Sequence, residues 1–348
     1  MNHAIFRNVF VTLLLCLAAQ IHAADMIVNG TDWKDTDGNP ISCHEGGMSR
    51  FGDTFYWYGT SYSGNPKGIW GKEQQTQALQ RGLNVYSSDD LVHWKYEGVC
   101  LDYNDSRNNI RGSGHRPSVI YNDKTKKYVM WFFDIVTYPD VMMTVAVSDS
   151  PTGPFRILGL RKTGEAKGYA QDCALFKDDD GKAYLAYDDG HRNLRIDLLS
   201  DDYLTSTKKN VLALKAPGEG TAICKYRGKY IVAGSGVRGW GATETHCAIA
   251  DSPLGTYSKR SRMSEQNTWG SQISNFIYIK ESDTLMALCD QWWAGQNGRR
   301  NLDASRYLWL PVSFNPETGE AKLEYKEQWN PLNSKKTESK HNKSIDSD

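Results

Sequence analysis

The amino-acid sequence predicts an all-β chain folded as a five-bladed β-propeller. Short runs rich in Val, Ile, Tyr, Phe and Trp alternate with turns that contain Gly, Asp and Asn, whereas long amphipathic helical patterns are scarce. A hairpin of two apolar strands recurs five times along the chain. Because a single sheet cannot bury both of its faces alone, five such units are expected to pack around one axis as a single domain.

The five repeats share an apolar strand, a polar hairpin turn and an aromatic or β-branched return strand. The segments between them share a Ser/Asp turn and an aromatic residue that opens the next strand. Two stacked sandwiches would also contain many short strands, but they would not predict this paired signature in a fixed order. The hairpins begin at Gly46, Arg116, Asp172, Gly220 and Gln272, and the intervening segments at Tyr86, Ala146, Ile196 and Ala248.

The charge composition argues against nucleic acid as a partner. The 348 residues contain 41 Lys and Arg against 41 Asp and Glu, whereas nucleic-acid-binding domains usually carry a basic patch that neutralises phosphates. The chain is rich in aromatic residues, with 11 Trp, 19 Tyr and 10 Phe. Trp and Tyr combine a flat apolar face with a polar edge, which suits strand cores and sugar rings alike. The expected partner is an oligo- or polysaccharide, bound by a monomer.

Both ends of the chain are expected to lie outside the propeller domain, which spans residues 24–333. Residues 1–23 combine Arg7 with the apolar run Val9–Ala19, which is too short to span a bilayer and is typical of a signal peptide. We therefore expect an exported protein, periplasmic or secreted, with no membrane span. The segment 72–79 is the main helical or loop candidate, and residues 334–348, nearly free of apolar side chains, are expected to be disordered.

The sequence predicts no cofactor and no metal site. The six cysteines that follow the signal peptide are widely spaced, and no pair has the spacing of zinc ligands. The runs DTDG at Asp35 and DDDG at Asp178 lack the other ligands of a calcium loop and are interpreted as turns. The sequence leaves open a structural calcium ion near the propeller axis.

Polar side chains stand at the start of each inner strand, where the blades of a propeller converge on the axis. One such residue is usually a turn residue, but five corresponding positions favour a functional site. Glycosidases need a carboxylic acid that protonates the leaving oxygen and a second group that activates water. Glu219, between two glycines, is the candidate acid, and Asp172 is the partner that tunes it through like-charge repulsion. The residues are His44 and Glu45 in the first blade, and His115, Asp172, Glu219 and Gln272 in the other four.

Several motifs around these positions are specific when taken together. They are H-x-G-G with YWYG (His44 to Gly59), NVYSSDDLVHWKYEGVCL from Asn84, RPSVIYNDKTKKYVMWF from Arg116, D-x-x-LFKDDDGKAYL from Asp172, GEGTAI around Glu219, Ser271-Gln272, and DASRYLWLPV from Asp303. With them the chain resembles glycoside hydrolase family 43, and within it the exo-β-1,3-galactanase branch. The resemblance implies a five-bladed propeller, an inverting mechanism and release of single sugars from chain ends.

The resemblance also implies roles for individual residues. Glu219 matches the catalytic acid and Asp172 the acidic residue that assists it. Gln272 matches a glutamine proposed in this branch to replace the usual basic carboxylate, as its imidic-acid tautomer or by positioning water; side-chain chemistry alone favours a hydrogen bond to substrate. Trp240 and Trp292 either stack on a sugar ring or pack in the core. The candidate substrate-binding residues are His44, Glu45, His115, Arg116, Trp240, Asp290, Trp292 and Arg306.

Three departures from the family pattern affect the sugar pocket and spare the acid. His115 stands where relatives commonly carry Glu. The run GWGATE, which begins at Gly239, replaces a Gly-Trp-Pro-Asn run, and Gln291 replaces an Arg. The leading hypothesis is an exo-acting, inverting hydrolase that releases galactose from β-1,3-galactan, as in arabinogalactan degradation. A propeller glycosidase acting on another plant glycan, with arabinose or xylose as the sugar, and a non-catalytic carbohydrate-binding propeller are the alternatives.

Overall fold

The computed structural model describes residues 25–62, 82–103, 105–108, 113–137, 140–165, 170–216, 218–292 and 302–333. The expected signal peptide at 1–23, the segment 72–79 and the expected tail at 334–348 lie outside the described residues. Within the described part, no helix is both long and apolar enough to cross a membrane.

The described residues form five four-stranded antiparallel sheets, which confirms the predicted all-β, five-bladed β-propeller. Two short 3-10 turns, Gln266–Gly270 and Leu302–Ala304, accompany the strands. In chain order the strands are β1 (Ile27–Val28), β2 (Met48–Phe51), β3 (Thr54–Thr60), β4 (Gly82–Ser88), β5 (Lys95–Asp102), β6 (Ser113–Asn122), β7 (Lys127–Thr137), β8 (Asp140–Ser148), β9 (Arg156–Arg161), β10 (Gln171–Lys177), β11 (Ala183–Asp188), β12 (Leu194–Leu199), β13 (Ser206–Leu214), β14 (Glu219–Tyr226), β15 (Lys229–Ser235), β16 (Thr245–Ala250), β17 (Ser261–Arg262), β18 (Gln272–Ile279), β19 (Thr284–Gln291), β20 (Arg306–Asn315), β21 (Glu320–Leu323) and β22 (Gln328–Trp329).

Each blade pairs its strands in chain order, from the inner strand outwards. Blades 1 to 5 contain β2–β5, β6–β9, β10–β13, β14–β17 and β18–β21. The middle strands are buried on both faces because neighbouring blades cover them, and β11 accordingly reads as the continuous buried run AYLAYD. The outer strand β13 is largely exposed along Thr207–Lys209 and carries charge there.

The hydrophobic core consists of five clusters, one between each pair of neighbouring blades. Blades 1 and 2, for example, bury Tyr58 and Leu83 against Met130 and Phe132. All six cysteines of the described residues are buried and free, so they serve as small apolar side chains of these clusters.

An aromatic cluster closes the ring between blades 1 and 5. Trp309 contacts Trp33 and Trp57 edge to face, with ring centroids 4.7 and 4.8 Å apart. The ends of the described chain meet in the same region, because β1 pairs with β22 in a two-stranded sheet. Asn29 adds two 2.8 Å hydrogen bonds to the backbone of Trp309.

A β-bulge near the start of the inner strand recurs in blades 2 to 5. Strand pairing shifts register between His115 and Ser118, Gln171 and Cys173, Glu219 and Ala222, and Ile273 and Asn275. A bulge bends its strand and redirects the side chains beside it. In blades 2, 3 and 4 the bulge holds Arg116, Asp172 and Gly220 at φ of 54°, 45° and 63°. The bulges thus direct polar side chains towards the axis.

Candidate active site

Polar side chains from all five blades meet at the axis, at the end where the inner strands begin. Arg116 of blade 2 is the centre of this axial cluster and is 4% exposed. Its Nη2 donates to Gln272 Oε1 at 2.9 Å, and its Nη1 donates to the carbonyl of Ile273 at 3.1 Å. Its Nε lies 3.2 Å from Asp172 Oδ1 and 3.9 Å from Glu45 Oε2. Burial alone would lower the pKa of Arg116, but Asp172 and Glu45, together with the more distant Asp290 and Glu219, outweigh it and raise the pKa.

Glu45 and His115 form a buried pair beside Arg116. Glu45 Oε1 accepts a hydrogen bond from Tyr62 OH at 2.7 Å and is bonded to His115 Nδ1. Burial alone would raise the pKa of Glu45, but His115, Arg116 and Tyr62 outweigh it and lower the pKa to about 2. Since an ionised carboxylate only accepts hydrogen bonds, His115 Nδ1 carries a proton. The indole Nε1 of Trp240 donates a 3.3 Å hydrogen bond to Tyr62 OH, so Trp240 is linked to Glu45 through Tyr62.

Asp172 is tied to the strand that carries Glu219. Its Oδ2 accepts a 2.8 Å hydrogen bond from the backbone N–H of Gly220, while its Oδ1 faces Arg116. Gly220 is required here for space and conformation, because a Cβ atom would lie 2.5 Å from the carbonyl oxygen of Ile273 and φ is positive. The two neighbouring blades therefore hold Asp172 and Glu219 in a fixed relation.

The two oxygens of the Glu219 carboxyl group have different surroundings: backbone N–H groups hold Oε2, and Arg192 lies beside Oε1. Its Oε2 accepts hydrogen bonds from the backbone N–H groups of Arg238 and Gly239 at 2.8 and 2.9 Å. Arg192 Nη1 lies 3.4 Å from the other oxygen, Oε1. Burial and the nearby Asp172 raise the pKa of Glu219 against the opposing effect of these donors. A raised pKa keeps the carboxyl group protonated to higher pH, as a general acid requires.

Arg192 also contacts a second buried acid, Asp188, with Nη1 3.5 Å from Oδ2. Asp188 closes the return strand of blade 3 opposite Gln171, which donates to Oδ2 at 2.9 Å. Burial first, and then Asp172, raise the pKa of Asp188 to about 7. Arg192 thus lies between two carboxyl groups that are both hard to ionise.

The amide of Gln272 has one consistent orientation. Its Oε1 faces two donors, Arg116 Nη2 at 2.9 Å and Trp292 Nε1 at 3.0 Å. Arg and Trp side chains donate hydrogen bonds and cannot accept them. The amide Nε2 donates to Ser235 Oγ at 3.1 Å. Both lone pairs of Oε1 are therefore engaged, and a proton on that oxygen would face two N–H groups.

His44 and Asp290 support the cluster from behind. Asp290 Oδ2 accepts a 2.9 Å hydrogen bond from the backbone N–H of Glu45, and its Oδ1 lies 3.5 Å from His44 Nδ1. His44 is fully buried and stacks on Tyr307, with centroids 5.1 Å apart. Both residues thus position Glu45, which itself has a φ of 52°.

The structure brings ten of the eleven predicted site residues into this network. The exception is Arg306, which pairs with Asp32 at 2.8 Å and has a side chain that is 41% exposed. Arg306 begins β20, the third strand of blade 5, so it lies farther from the axis than the inner-strand residues.

Sequence reasoning named Asp290 but missed the other residues contributed by the ends of the return strands. Hairpin pairing places the end of each return strand opposite the start of its inner strand. The pairs are His44 with Thr60, Gly114 with Asp134, Gln171 with Asp188, Glu219 with Ser235 and Gln272 with Asp290. The polar ends of these apolar runs were the available signal. Tyr62 and Arg192 lie just beyond such ends.

The axial cluster does not fit a calcium ion. Calcium takes six to eight oxygen ligands, whereas the cationic guanidinium of Arg116 already occupies the space between Glu45 and Asp172. Among the described residues, no group of three His, Cys, Asp or Glu side chains is arranged to hold a metal ion.

A five-bladed propeller that gathers buried acids at its axis, two of them with raised pKa values, has the architecture of a glycoside hydrolase. The sequence profile of glycosyl hydrolases family 43 matches residues 39–294. The chain belongs to this family, as its motifs indicated. A search among curated proteins finds no match.

Solved structures of the same family are similar over most of the chain. A β-1,3-galactosidase solved with galactodeoxynojirimycin is 29% identical, with a TM-score of 0.73, over 87% of this chain and 100% of the other. An exo-β-1,3-galactanase from Clostridium thermocellum is 28% identical, with a TM-score of 0.75, over 87% of this chain and 66% of the other. An exo-β-1,3-galactanase from Phanerochaete chrysosporium, solved with galactose, is 30% identical, with a TM-score of 0.74, over 88% and 68%. This chain is therefore a glycoside hydrolase similar to β-1,3-galactan-cleaving enzymes.

Proposed function

We propose that the protein is an exo-acting, inverting hydrolase that releases galactose from β-1,3-galactan, as in arabinogalactan degradation. The observation that carries the proposal is the linked pair of acids, in which Asp172 bonds the backbone of Gly220 next to Glu219. The raised pKa of Glu219 suits an acid that protonates a leaving sugar oxygen. The solved relatives named for β-1,3-galactose substrates support the choice of sugar and linkage.

Glu219 acts as the general acid through Oε1. Because two backbone N–H groups already donate to Oε2, the proton is carried on Oε1, beside Arg192. As the glycosidic bond breaks, this proton passes to the leaving oxygen and Glu219 becomes a carboxylate. Asp172 favours the protonated state beforehand, because its charge opposes a second charge nearby.

Gln272 positions the attacking water and does not accept its proton. An imidic-acid tautomer would place a proton on Oε1, which Arg116 and Trp292 prevent because both groups only donate. The amide N–H that does not bond Ser235 is a donor for the water or for a sugar hydroxyl. The proton of the water then passes to a carboxylate of the cluster, and Asp172 and Glu45 are the two that face Arg116.

The second sugar candidate rests on the pair of Glu45 and His115. In the family resemblance, His115 stands at a position where relatives commonly carry Glu. Here His115 is hydrogen-bonded to the carboxylate of Glu45 from blade 1. By the family resemblance, an imidazole therefore replaces an acid at this position, which favours a change in the hydroxyl pattern that the pocket recognises. An arabinose- or xylose-releasing enzyme would follow from such a change.

Sugar release from a polysaccharide panel tests these candidates together. Purified protein is incubated with β-1,3-galactan, arabinogalactan, arabinan and xylan, and the released sugars are identified by chromatography against galactose, arabinose and xylose standards. Galactose alone from β-1,3-galactan supports the proposal, and arabinose or xylose supports the alternative. Binding of a polysaccharide without any sugar release indicates the non-catalytic propeller and overturns the enzyme proposal.

We also propose that the protein is exported and acts as a monomer. The apolar run Val9–Ala19 after Arg7 supports export. Mature chain recovered outside the cytoplasm with an amino terminus near Ala24, eluting at the mass of one chain, would agree; an uncleaved cytoplasmic protein would not.

A further inference from the structure

A cavity opens at the end of the propeller axis opposite to the axial cluster. It has a volume of about 970 Å³ and is lined by the ends of all five inner strands and the turns that follow them. Glu219 begins β14 and Lys225, which lines this cavity, lies six positions later, so about 20 Å separates the two ends at 3.3 Å per residue. We name this space the distal cavity. It shares no lining residue with the axial cluster.

The inner part of the distal cavity is apolar and receives one buried side chain from each blade. Such a surface gives a ligand an apolar contact. The side chains are Met48, Ile120, Leu175, Ile223 and Phe276, each at most 7% exposed.

Aromatic rings form the wall between blades 1 and 2. Phe51 and Tyr128 meet edge to face at 4.9 Å, and Tyr121 contacts Tyr128 at 4.9 Å. On the neighbouring blade 5, Tyr278 also lines the cavity and is 42% exposed. Tyrosine and phenylalanine faces accept the C–H face of a sugar ring, while the tyrosine hydroxyl remains a hydrogen-bonding group.

Ion pairs between neighbouring blades make up the polar rim. Lys225 lies 3.0 Å from Asp178 and 2.7 Å from Asp179. The cations of the rim are therefore balanced locally by carboxylates, so the rim presents donors and acceptors side by side without a net positive field. The other pairs are Arg50 with Glu281, Lys177 with Asp123, and Arg227 with Asp283.

The balance of charge and the aromatic wall decide which ligand fits. An anion such as a phosphate or an acidic peptide would have to displace carboxylates from the rim cations. A neutral polyhydroxylated ligand can use both partners of each ion pair and stack on the tyrosines. The volume is at the upper end of the usual range for small-molecule pockets, about 300–1,000 Å³, which leaves room for more than one sugar ring.

We propose that the distal cavity is a second carbohydrate-binding site, which holds a neutral segment of polysaccharide without cleaving it. The proposal rests on the proposed function in one respect, that the substrate is a polymer. An exo-acting enzyme gains from such a site because a bound segment raises the local concentration of chain ends.

Affinity electrophoresis through gels containing β-1,3-galactan tests the proposal on the full-length chain with the background change Glu219→Gln, which prevents cleavage. Tyr278→Ala and Tyr128→Ala each remove one aromatic platform, and Tyr325→Ala removes an exposed tyrosine outside the cavity (48% exposed) as a matched control. Each cavity variant should bind polymer roughly three- to ten-fold more weakly, the effect of one lost ring contact of about 0.5–1.5 kcal/mol, and Tyr325→Ala should bind unchanged. Retardation that is equal in all four proteins would overturn the proposal.

Catalysis separates this proposal from the proposed function. In the active enzyme, Tyr278→Ala should lower activity on the polymer and leave hydrolysis of a small aryl β-galactoside unchanged. If the wild-type chain releases no galactose from β-1,3-galactan, the proposed function fails, and the electrophoresis is repeated with arabinan and xylan gels. Weaker retardation of Tyr278→Ala in either gel still supports a distal site; no retardation of the wild type in any gel rejects it.

Discussion

The backbone N–H of Gly220 donates a 2.8 Å hydrogen bond to Asp172 Oδ2, and Gly220 directly follows Glu219. The bond joins two blades at the axis and fixes the carboxyl group that raises the pKa of Glu219. The chemistry that we propose therefore depends on backbone geometry as well as on two acidic side chains.

The first prediction concerns proton donation by Glu219. Glu219→Gln keeps the size of the side chain and an oxygen that can accept from Arg238 and Gly239, so the fold should be preserved. Loss of the proton should lower kcat on galacto-oligosaccharides by about 10² to 10⁴. The loss should be smaller for aryl galactosides, whose leaving groups need less protonation. Steady-state kinetics with a thermal melt as the folding control measures both; unchanged turnover of oligosaccharides would remove Glu219 from this role.

The second prediction concerns the pH profile and Arg192. The raised pKa of Glu219 sets the alkaline limb of kcat/KM, because activity is lost as the acid ionises. Arg192 lowers this pKa, so Arg192→Met should raise it further and move the alkaline limb to higher pH. Arg195→Met is the matched control, since Arg195 pairs with Asp189 and Asn210 instead. A limb that stays in place in Arg192→Met, or moves equally in both variants, would contradict this account.

The third prediction concerns the pair of Glu45 and His115. His115→Glu would place a second carboxylate against Glu45 and remove the imidazole that lowers the pKa of Glu45, which favours a proton shared by the two carboxyl groups. The ranking of kcat/KM across the polysaccharide panel should change. Glu45→Gln combined with His115→Glu relieves the repulsion and serves as the comparison. Identical rankings in all three proteins would show that this pair does not determine specificity.

The fourth prediction separates positioning from proton transfer at Gln272. Gln272→Ala should lower kcat by about 10², the size expected when reacting groups are misplaced by about 1 Å. Azide is an anionic nucleophile that needs no deprotonation, so it rescues a variant that lacks a base. We expect no rescue of Gln272→Ala by azide. Formation of a galactosyl azide at restored rate would instead make Gln272 the proton acceptor.

The fold and the inner-strand residues of the site could be predicted from the sequence for one common reason. The repeated hairpins identify the inner strands, and propeller geometry brings the starts of those strands to one axis. His115, Asp172, Glu219 and Gln272 could thus be placed together although the blades are far apart in the chain. The same reasoning failed to place Arg306 outside the cluster, because its distance from the axis depends on its being in a third strand.

The remaining features depend on contacts that have no local signature. Arg116 and Gln272 are bonded across the axis although 156 positions separate them. The orientation of the Gln272 amide follows from Trp292 and Ser235, which lie on two different blades. The sequence therefore left open whether Gln272 activates water or binds substrate, and the donors around it favour positioning.

The stereochemistry of the first product tests the central claim most directly. Inversion requires that water attack the sugar while Glu219 protonates the leaving group, with no covalent intermediate. Gln272 has a neutral amide oxygen engaged by two donors, so it is a poor covalent nucleophile. Proton NMR of a fresh digest of β-1,3-galacto-oligosaccharide, recorded before mutarotation, should show α-galactose first. Initial appearance of β-galactose would contradict direct attack by water and the roles assigned to Glu219 and Gln272.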